Sequence, residues 1–177
     1  MSSKLRFNLL AAFVMAGFAI FTGCSIGTST VTLQATKDPS AVQKIGRLFI
    51  LINHGDLGHP SYSKELAANL QSVLSNPPPV LEISIASPLE LDEKVHEKKI
   101  QQFKPDAVLV IHLSSFVIDE SGGFPILKYD VSLFDPTLKT RLWRGAVDNS
   151  GGTAFVERRM HDMAEVIVNR LRQDGFL

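Results

Sequence analysis

The chain is 177 residues long, enough for one compact domain, and 45% of its residues are hydrophobic, a proportion that argues against wholesale disorder. Its 18 lysine and arginine residues balance 18 aspartate and glutamate residues, so the composition argues against a nucleic-acid binder, which would need a broad basic face. A single cysteine excludes an internal disulfide and any zinc site built from several cysteines.

The first 23 residues have the pattern of a targeting segment. Lys4 and Arg6 form a short positive region, and an uncharged apolar run follows from Leu9 to Phe21, interrupted only by Gly17. That run is shorter than the ~20 residues that a membrane-spanning helix needs. We therefore predict that residues 1–23 are a signal peptide and form no part of the fold.

The end of this apolar run resembles the lipobox of bacterial lipoproteins. Its sequence is Phe21-Thr22-Gly23-Cys24, in which small residues precede the cysteine, although Phe21 stands where leucine is usual. The resemblance implies that Cys24 is diacylated and becomes the first residue of the mature chain. Ser25 replaces the aspartate that retains such proteins in the inner membrane, which implies the outer membrane. The alternative is a plain secretory signal with an incidental cysteine.

The next part of the chain contains the first predicted elements. Residues 24–41 are small and polar, and we predict a flexible tether there, followed by a single periplasmic domain over residues 42–177. The apolar run within Lys44–Asn53 predicts a buried strand. Glycines and a proline indicate a loop over His54–Pro60, and a helix follows and ends before three consecutive prolines.

The remaining elements alternate between strands and helices. Residues 81–85 predict a strand, and Asp92 is the predicted N-cap of a second helix. The run Ala107–Leu113 fits a central strand, and residues 127–133 and 141–147 predict a hairpin. The last helix has apolar residues at helical spacing and ends at Gly175; these residues are Phe155, Val156, Met160, Met163, Ala164, Ile167, Val168 and Leu171.

The predicted order is therefore β-α-β-α-β-β-β-α. We expect an α+β fold with one mixed sheet and with helices packed mainly on one face. The C-terminal helix, as the longest apolar stripe, is expected to cover most of that face.

Two segments resemble periplasmic α/β modules of the TolB N-terminal and curli-secretion lipoprotein type. Residues 103–113, FKPDAVLVIHL, form a helix end and strand, and residues 129–145, YDVSLFDPTLKTRLWRG, form a hairpin with tryptophan on its return strand. The resemblance covers residues 42–175 in the order of elements and implies an envelope accessory role without catalytic residues. The lipopolysaccharide-assembly lipoprotein is a rival, but residues 25–28 lack its Gly-Phe and basic motif.

Candidate catalytic or metal-binding residues are few. His54, Asp56 and His59 lie within six residues after the first predicted strand, where α/β folds often place ligand groups. As metal ligands they would need a further partner, and an ordinary polar loop is the alternative interpretation. The sequence contains no Gly-x-Ser-x-Gly elbow, phosphate-binding loop or Gly-x-Gly-x-x-Gly motif.

Other polar and aromatic residues have both a structural and a functional interpretation. Trp143 and Arg141 could form a small binding face, with Arg144 pointing to the opposite side of the strand, but Trp143 could equally pack beneath a helix. We predict that His112 lies within the central strand, as a core or sheet-end histidine with a hydrogen-bond partner. We also predict that Arg158 and Arg159 lie on the outer side of the last helix.

Taken together, these patterns predict a lipid-anchored outer-membrane lipoprotein that acts as a non-catalytic accessory or protein-binding module of an envelope assembly, secretion or transport system. Its partners would be the outer membrane, through the lipid on Cys24, and another envelope protein, without nucleic acid, cofactor or metal. The alternatives are a lipid or glycan carrier and a metal-dependent hydrolase that uses the loop containing His54, Asp56 and His59.

Overall fold

The computed structural model of the protein describes residues 29–41, 44–55, 60–76, 78–87, 94–118, 125–151 and 156–177. Cys24, Asp56, His59 and the predicted signal peptide lie outside these described residues. Within them, six strands are formed by Ser29–Lys37 (β1), Arg47–Asn53 (β2), Val80–Ile85 (β3), Ala107–Val117 (β4), Ile126–Phe134 (β5) and Arg141–Gly151 (β6). Three helices are formed by Pro60–Val73 (α1), Val95–Phe103 (α2) and Val156–Gln173 (α3).

All six of these strands belong to one mixed sheet with the order β1-β6-β5-β4-β2-β3. β3 and β4 run parallel to β2, whereas β5, β6 and β1 are added as successive antiparallel neighbours beyond β4. This arrangement confirms the predicted α+β class and the single mixed sheet. The predicted element order is found from β2 onward.

The connections between the parallel strands determine which face each helix covers. The chain passes from β2 through α1 to β3, and then returns through α2 to β4 on the other side of β2. Because parallel crossovers are right-handed, this reversal places the two helices on opposite faces. α1 packs with α3 on the main face, while Ile100 of α2 packs on Phe49 and Val108 from the other face. Two of the three described helices therefore share a face, as the prediction of helices mainly on one face requires.

The apolar stripe predicted for the last helix is part of the core. The side chains of Met160, Met163, Ala164, Ile167, Val168 and Leu171 are all buried in α3. Gly175 has a φ of 80°, and the N–H of Phe176 donates to the carbonyl of Leu171 at 3.0 Å, so the helix ends at the predicted glycine. Among the residues described, no helix combines the length and apolar character needed to cross a membrane.

The tether predicted for residues 24–41 is wrong over Ser29–Lys37, because these residues form β1, an edge strand. β1 pairs antiparallel with β6 from Ser29 opposite Gly151 to Lys37 opposite Trp143. Val31, Leu33 and Ala35 pack against the core, and the alternate positions Thr32 and Gln34 are exposed. The folded domain therefore begins at least 13 residues before position 42, at Ser29. This period of two is the ordinary pattern of a strand with one wet face.

Four strands extend past the end of the other two. The last pair between β2 and β4 joins Asn53 to His112, and β4 continues five residues further to Val117. In the same register Val117 lies opposite Ile126, and the neighbouring strands contribute Ser150 and Thr30 at this level. We call this row, Val117, Ile126, Ser150 and Thr30, the projecting end. It lies ~15 Å beyond the end of β2, at 3.2–3.4 Å per residue.

Candidate functional site

The carboxyl end of β2 is the position at which this topology favours a ligand site. The connection leaving β2 crosses one face of the sheet, and the connection entering its neighbour β4 crosses the other. Open α/β sheets bind ligands at such points, beyond the carboxyl ends of the strands. Asn53 is the last residue of β2, and His54 follows it. The sequence-based choice of His54 therefore falls at this point of the sheet.

His54 is buried, with only 3% of its surface exposed, and makes one side-chain hydrogen bond among the described residues. Its Nδ1 lies 2.8 Å from the Oγ of Ser63, in the first turn of α1, and the direction of that hydrogen bond depends on the histidine tautomer. The aromatic ring of Tyr129 packs against the imidazole with 5.3 Å between ring centroids. The Nε2 atom has no hydrogen-bond partner within the described part of the chain.

The charge state of His54 follows from this environment. Burial, together with a smaller effect of charge repulsion from the nearby His112, lowers the pKa of His54 from 6.5 to about 4. The imidazole is therefore neutral at pH 7 and is a weak base. Ser63 is also buried. Its hydroxyl is therefore shielded from solvent and from any substrate that approaches from the solvent. The hydrogen bond between His54 and Ser63 has a structural role, because it connects the start of α1 to the end of β2.

Arg159 forms a second buried polar group on the same side of the sheet. The Arg159 residue is 2% exposed, and its guanidinium donates to the carbonyl oxygens of Pro125 and Asn149, each at 2.7 Å. Its Nε also donates to the Asn149 Oδ1 at 3.2 Å, and the Asn149 amide donates back to the Arg159 carbonyl at 3.1 Å. Burial lowers the pKa of Arg159, although neighbouring tyrosines oppose the shift. The prediction that Arg159 lies on the outer side of the last helix is therefore wrong.

Tyr129 is a neighbour of both of these groups. It is buried on β5, and its hydroxyl donates to the Sδ of Met160 at 3.9 Å. Burial raises the pKa of Tyr129, the neighbouring Tyr62 raises it further, and the positive charge of Arg159 opposes this. The phenol is thus a neutral neighbour of both the His54 imidazole and the Arg159 guanidinium.

The metal-site hypothesis involves residues that the structure describes only in part. Asp56 and His59 lie outside the described residues, and His54 engages Ser63 through one of its two ring nitrogens. Among the residues that are described, no group of three or more histidine, cysteine, aspartate or glutamate side chains is placed to hold a metal ion. A ligand set that includes Asp56 and His59 stays a sequence-based hypothesis.

Trp143 has a packing role. Its side chain is 1% exposed within the core, and its Nε1 donates to the Oδ2 of Asp174 at 2.6 Å. Arg170 donates to the same oxygen at 2.9 Å, which fastens the end of α3 to β6. Arg144 points to the opposite face, as predicted, and lies 3.5 Å from Asp130. The binding face containing Trp143 is therefore not formed.

His112 and His161 are two further histidines among the described residues. His112 lies within β4, as predicted, but its side chain is exposed, so the prediction of a core histidine is wrong. His161 is exposed on α3, with its Nδ1 3.2 Å from Asn69 and its Nε2 3.5 Å from Glu165. Each of the two therefore has the surroundings of a surface residue.

Sequence reasoning missed Asn149, Tyr129 and Asp174 as members of the polar interior. Asn149 and Tyr129 occupy inward positions of alternating strands, so their burial follows from the period of two. Their partners could not be derived in this way, because Arg159 and Met160 belong to α3, and the contact depends on how that helix crosses the sheet.

Comparison with known proteins gives similarity of fold without similarity of sequence. No protein-family model matches the chain, and no curated protein matches it by sequence. A PelC dodecamer from Paraburkholderia phytofirmans has a similar solved structure, with a TM-score of 0.52 and 10% identity over 78% of this chain and 96% of that chain. Lipoprotein GNA1162 from Neisseria meningitidis overlaps at a TM-score of 0.42 and 17% identity, covering 71% of this chain and 99% of that chain. The protein thus shares its fold with the PelC protomer.

Proposed function

We propose that this protein is a bacterial lipoprotein, anchored in the outer membrane by acyl chains on Cys24, whose periplasmic domain binds another envelope protein without catalysing a reaction. The anchor comprises two acyl chains and an N-terminal acyl group, as the lipobox resemblance implies. Each buried methylene contributes ~0.8 kcal/mol, so such an anchor is effectively permanent.

One observation supports the anchor most strongly. The single cysteine of the chain stands directly after an uncharged apolar run and its small residues Thr22 and Gly23. The structure adds that a regular strand begins at Ser29, only five residues later. A signal peptide cleaved before Cys24 would therefore leave every described element of the fold intact.

The non-catalytic role is supported by the chemistry around His54. Its pKa of about 4 makes it a weak base, and the hydroxyl of its partner Ser63 is buried. The likeness to a protein solved as a dodecamer supports an assembly role by fold alone. We therefore assign the activity of this domain to protein binding.

The experiment that tests the anchor replaces the acylated thiol. Cells expressing the full chain are labelled with radioactive palmitate, and Cys24→Ser is compared with Ser25→Ala, a matched control that keeps the thiol. We expect label in the unchanged chain and in the control, and none in Cys24→Ser, which should be exported but remain uncleaved. Palmitate that persists on Cys24→Ser would refute the anchor.

A second experiment tests the binding role independently of the anchor. Tagged protein is crosslinked in intact cells, purified under denaturing conditions, and its covalent partners are identified by mass spectrometry. We expect the same envelope protein in repeated preparations. Palmitate on Cys24 with no reproducible partner would retain the anchor and refute the binding role.

A further inference from the structure

The orientation of the domain on its membrane follows from where β1 begins. Thr30, near the start of β1, is part of the projecting end, in one row with Ser150, Ile126 and Val117. Three strand spacings of ~4.8 Å place Val117 within ~15 Å of Thr30 across the sheet. The amino-terminal entry of the fold and the apolar end of β4 therefore lie at the same edge of the domain.

The length of chain between the cysteine and the sheet is short. Five Cα–Cα steps separate Cys24 from Ser29, and a fully extended backbone spans at most ~18 Å over that distance. The opposite end of the sheet is further away by the length of β5, whose eight steps from Ile126 to Phe134 amount to ~27 Å. An anchor at Cys24 can bring the projecting end to the bilayer more readily than the opposite end.

The side chains at the projecting end suit contact with lipid headgroups and upper acyl chains. Val117 is 48% exposed and Ile118 is 60% exposed, so two large apolar residues face solvent side by side in sequence. Lys128 and Asp148 form an ion pair at 4.0 Å two residues further into the sheet.

From these observations we infer that the projecting end is the surface that faces and contacts the bilayer, with Val117 and Ile118 at the level of the lipid headgroups. The inference deepens the proposed function and rests on the lipid anchor at Cys24. The opposite end of the sheet then faces the periplasm. That end includes the β5–β6 turn.

The test measures which end of the domain lies near lipid. Ile118→Cys and Leu138→Cys are made separately in the full chain; Leu138 is a matched control, since it is 40% exposed in the β5–β6 turn at the opposite end. Because the thiol of Cys24 is acylated in the anchored protein, an environment-sensitive NBD fluorophore attaches to the introduced cysteine. The labelled proteins are reconstituted in phosphatidylcholine–phosphatidylethanolamine vesicles containing doxyl-labelled lipid.

We expect the fluorophore at position 118 to lose most of its emission to the doxyl lipid and the fluorophore at position 138 to keep nearly all of it. Equal quenching at both positions, stronger quenching at 138, or no quenching at 118 would overturn the inference. Palmitate labelling of the same samples separates the two proposals: its presence retains the anchor in each of these cases, and its absence refutes the anchor and the orientation together. Val117→Cys replaces Ile118→Cys if the latter melts at a lower temperature than the unchanged chain.

Discussion

The buried imidazole of His54 makes the stability of this domain depend on pH in a specific window. In the unfolded chain the pKa of the ring is near 6.5, and in the folded chain burial holds it at about 4. At pH 7 and above both states are neutral, and the ring has no effect on pH dependence. As the pH falls below 6.5, the ring binds a proton in the unfolded chain but not in the folded chain. The free energy of unfolding therefore decreases until about pH 4 and then levels off.

The size of this effect follows from the two pKa values. At ~1.4 kcal/mol for each pH unit, the difference between them corresponds to about 3 kcal/mol. A domain of this size is stable by ~5–15 kcal/mol, so such a loss is readily measured. Protonation of Asp38 and Asp135, whose pKa values are lowered by hydrogen bonds to nearby backbone and hydroxyl groups, also weakens the fold in acid. Those two contributions are the same in a variant that changes His54 alone.

The assay compares urea unfolding of residues 29–177 at pH 7, 6, 5 and 4 with that of His54→Gln, which can still hydrogen-bond Ser63. We expect the free energy of unfolding of the unchanged chain to fall by about 3 kcal/mol more than that of the variant between pH 7 and pH 4. A His54→Gln chain with the same pH slope as the unchanged one would refute the argument.

Three further predictions concern packing. Gly145→Ala should lower the free energy of unfolding by ~1–3 kcal/mol in urea, because the added Cβ would lie 2.6 Å from the Trp143 ring and 2.8 Å from Leu33. Ile167→Ala should lower it by ~2–5 kcal/mol by leaving a cavity in the core, whereas the exposed Glu165→Ala should leave the thermal melt unchanged. Residues 42–177, which lack β1, should melt at lower temperature than residues 29–177 and aggregate on size-exclusion chromatography; equal melts would contradict the role of β1.

Elements with strong periodicity were predictable from the sequence. The last helix has a stripe that includes Met160, Ile167 and Leu171, and all three are buried. β5 alternates Leu127, Tyr129, Val131 and Leu133 with polar residues, and these four are buried as well. Such patterns depend only on which face of one element packs against the core, so they can be recognised without knowing the neighbouring element.

Features that depend on contacts distant in sequence were not predictable. Threonine and serine make up four of the nine residues of Ser29–Lys37, a composition compatible with a tether. The strand is recognised only when its partner β6 is known. The burial of Arg159 depends in the same way on the carbonyls of Pro125 and Asn149, which the crossing of α3 over β6 brings to the guanidinium. For His54, by contrast, the position after β2 was predictable from the sequence, whereas its hydrogen-bond partner Ser63 was not.

The pairing of β1 with β6 joins two segments that lie far apart in the sequence. β1 is the first described strand to be made, and its partner, opposite Thr32 at Asp148, follows more than one hundred residues later. The edge strand therefore has no partner until those later residues are available. Its apolar residues alternate with Thr30, Thr32 and Thr36, so the unpaired segment has an extended backbone preference and a water-facing side. The polar composition that conceals the strand in the sequence thus keeps it hydrated until the last hairpin emerges.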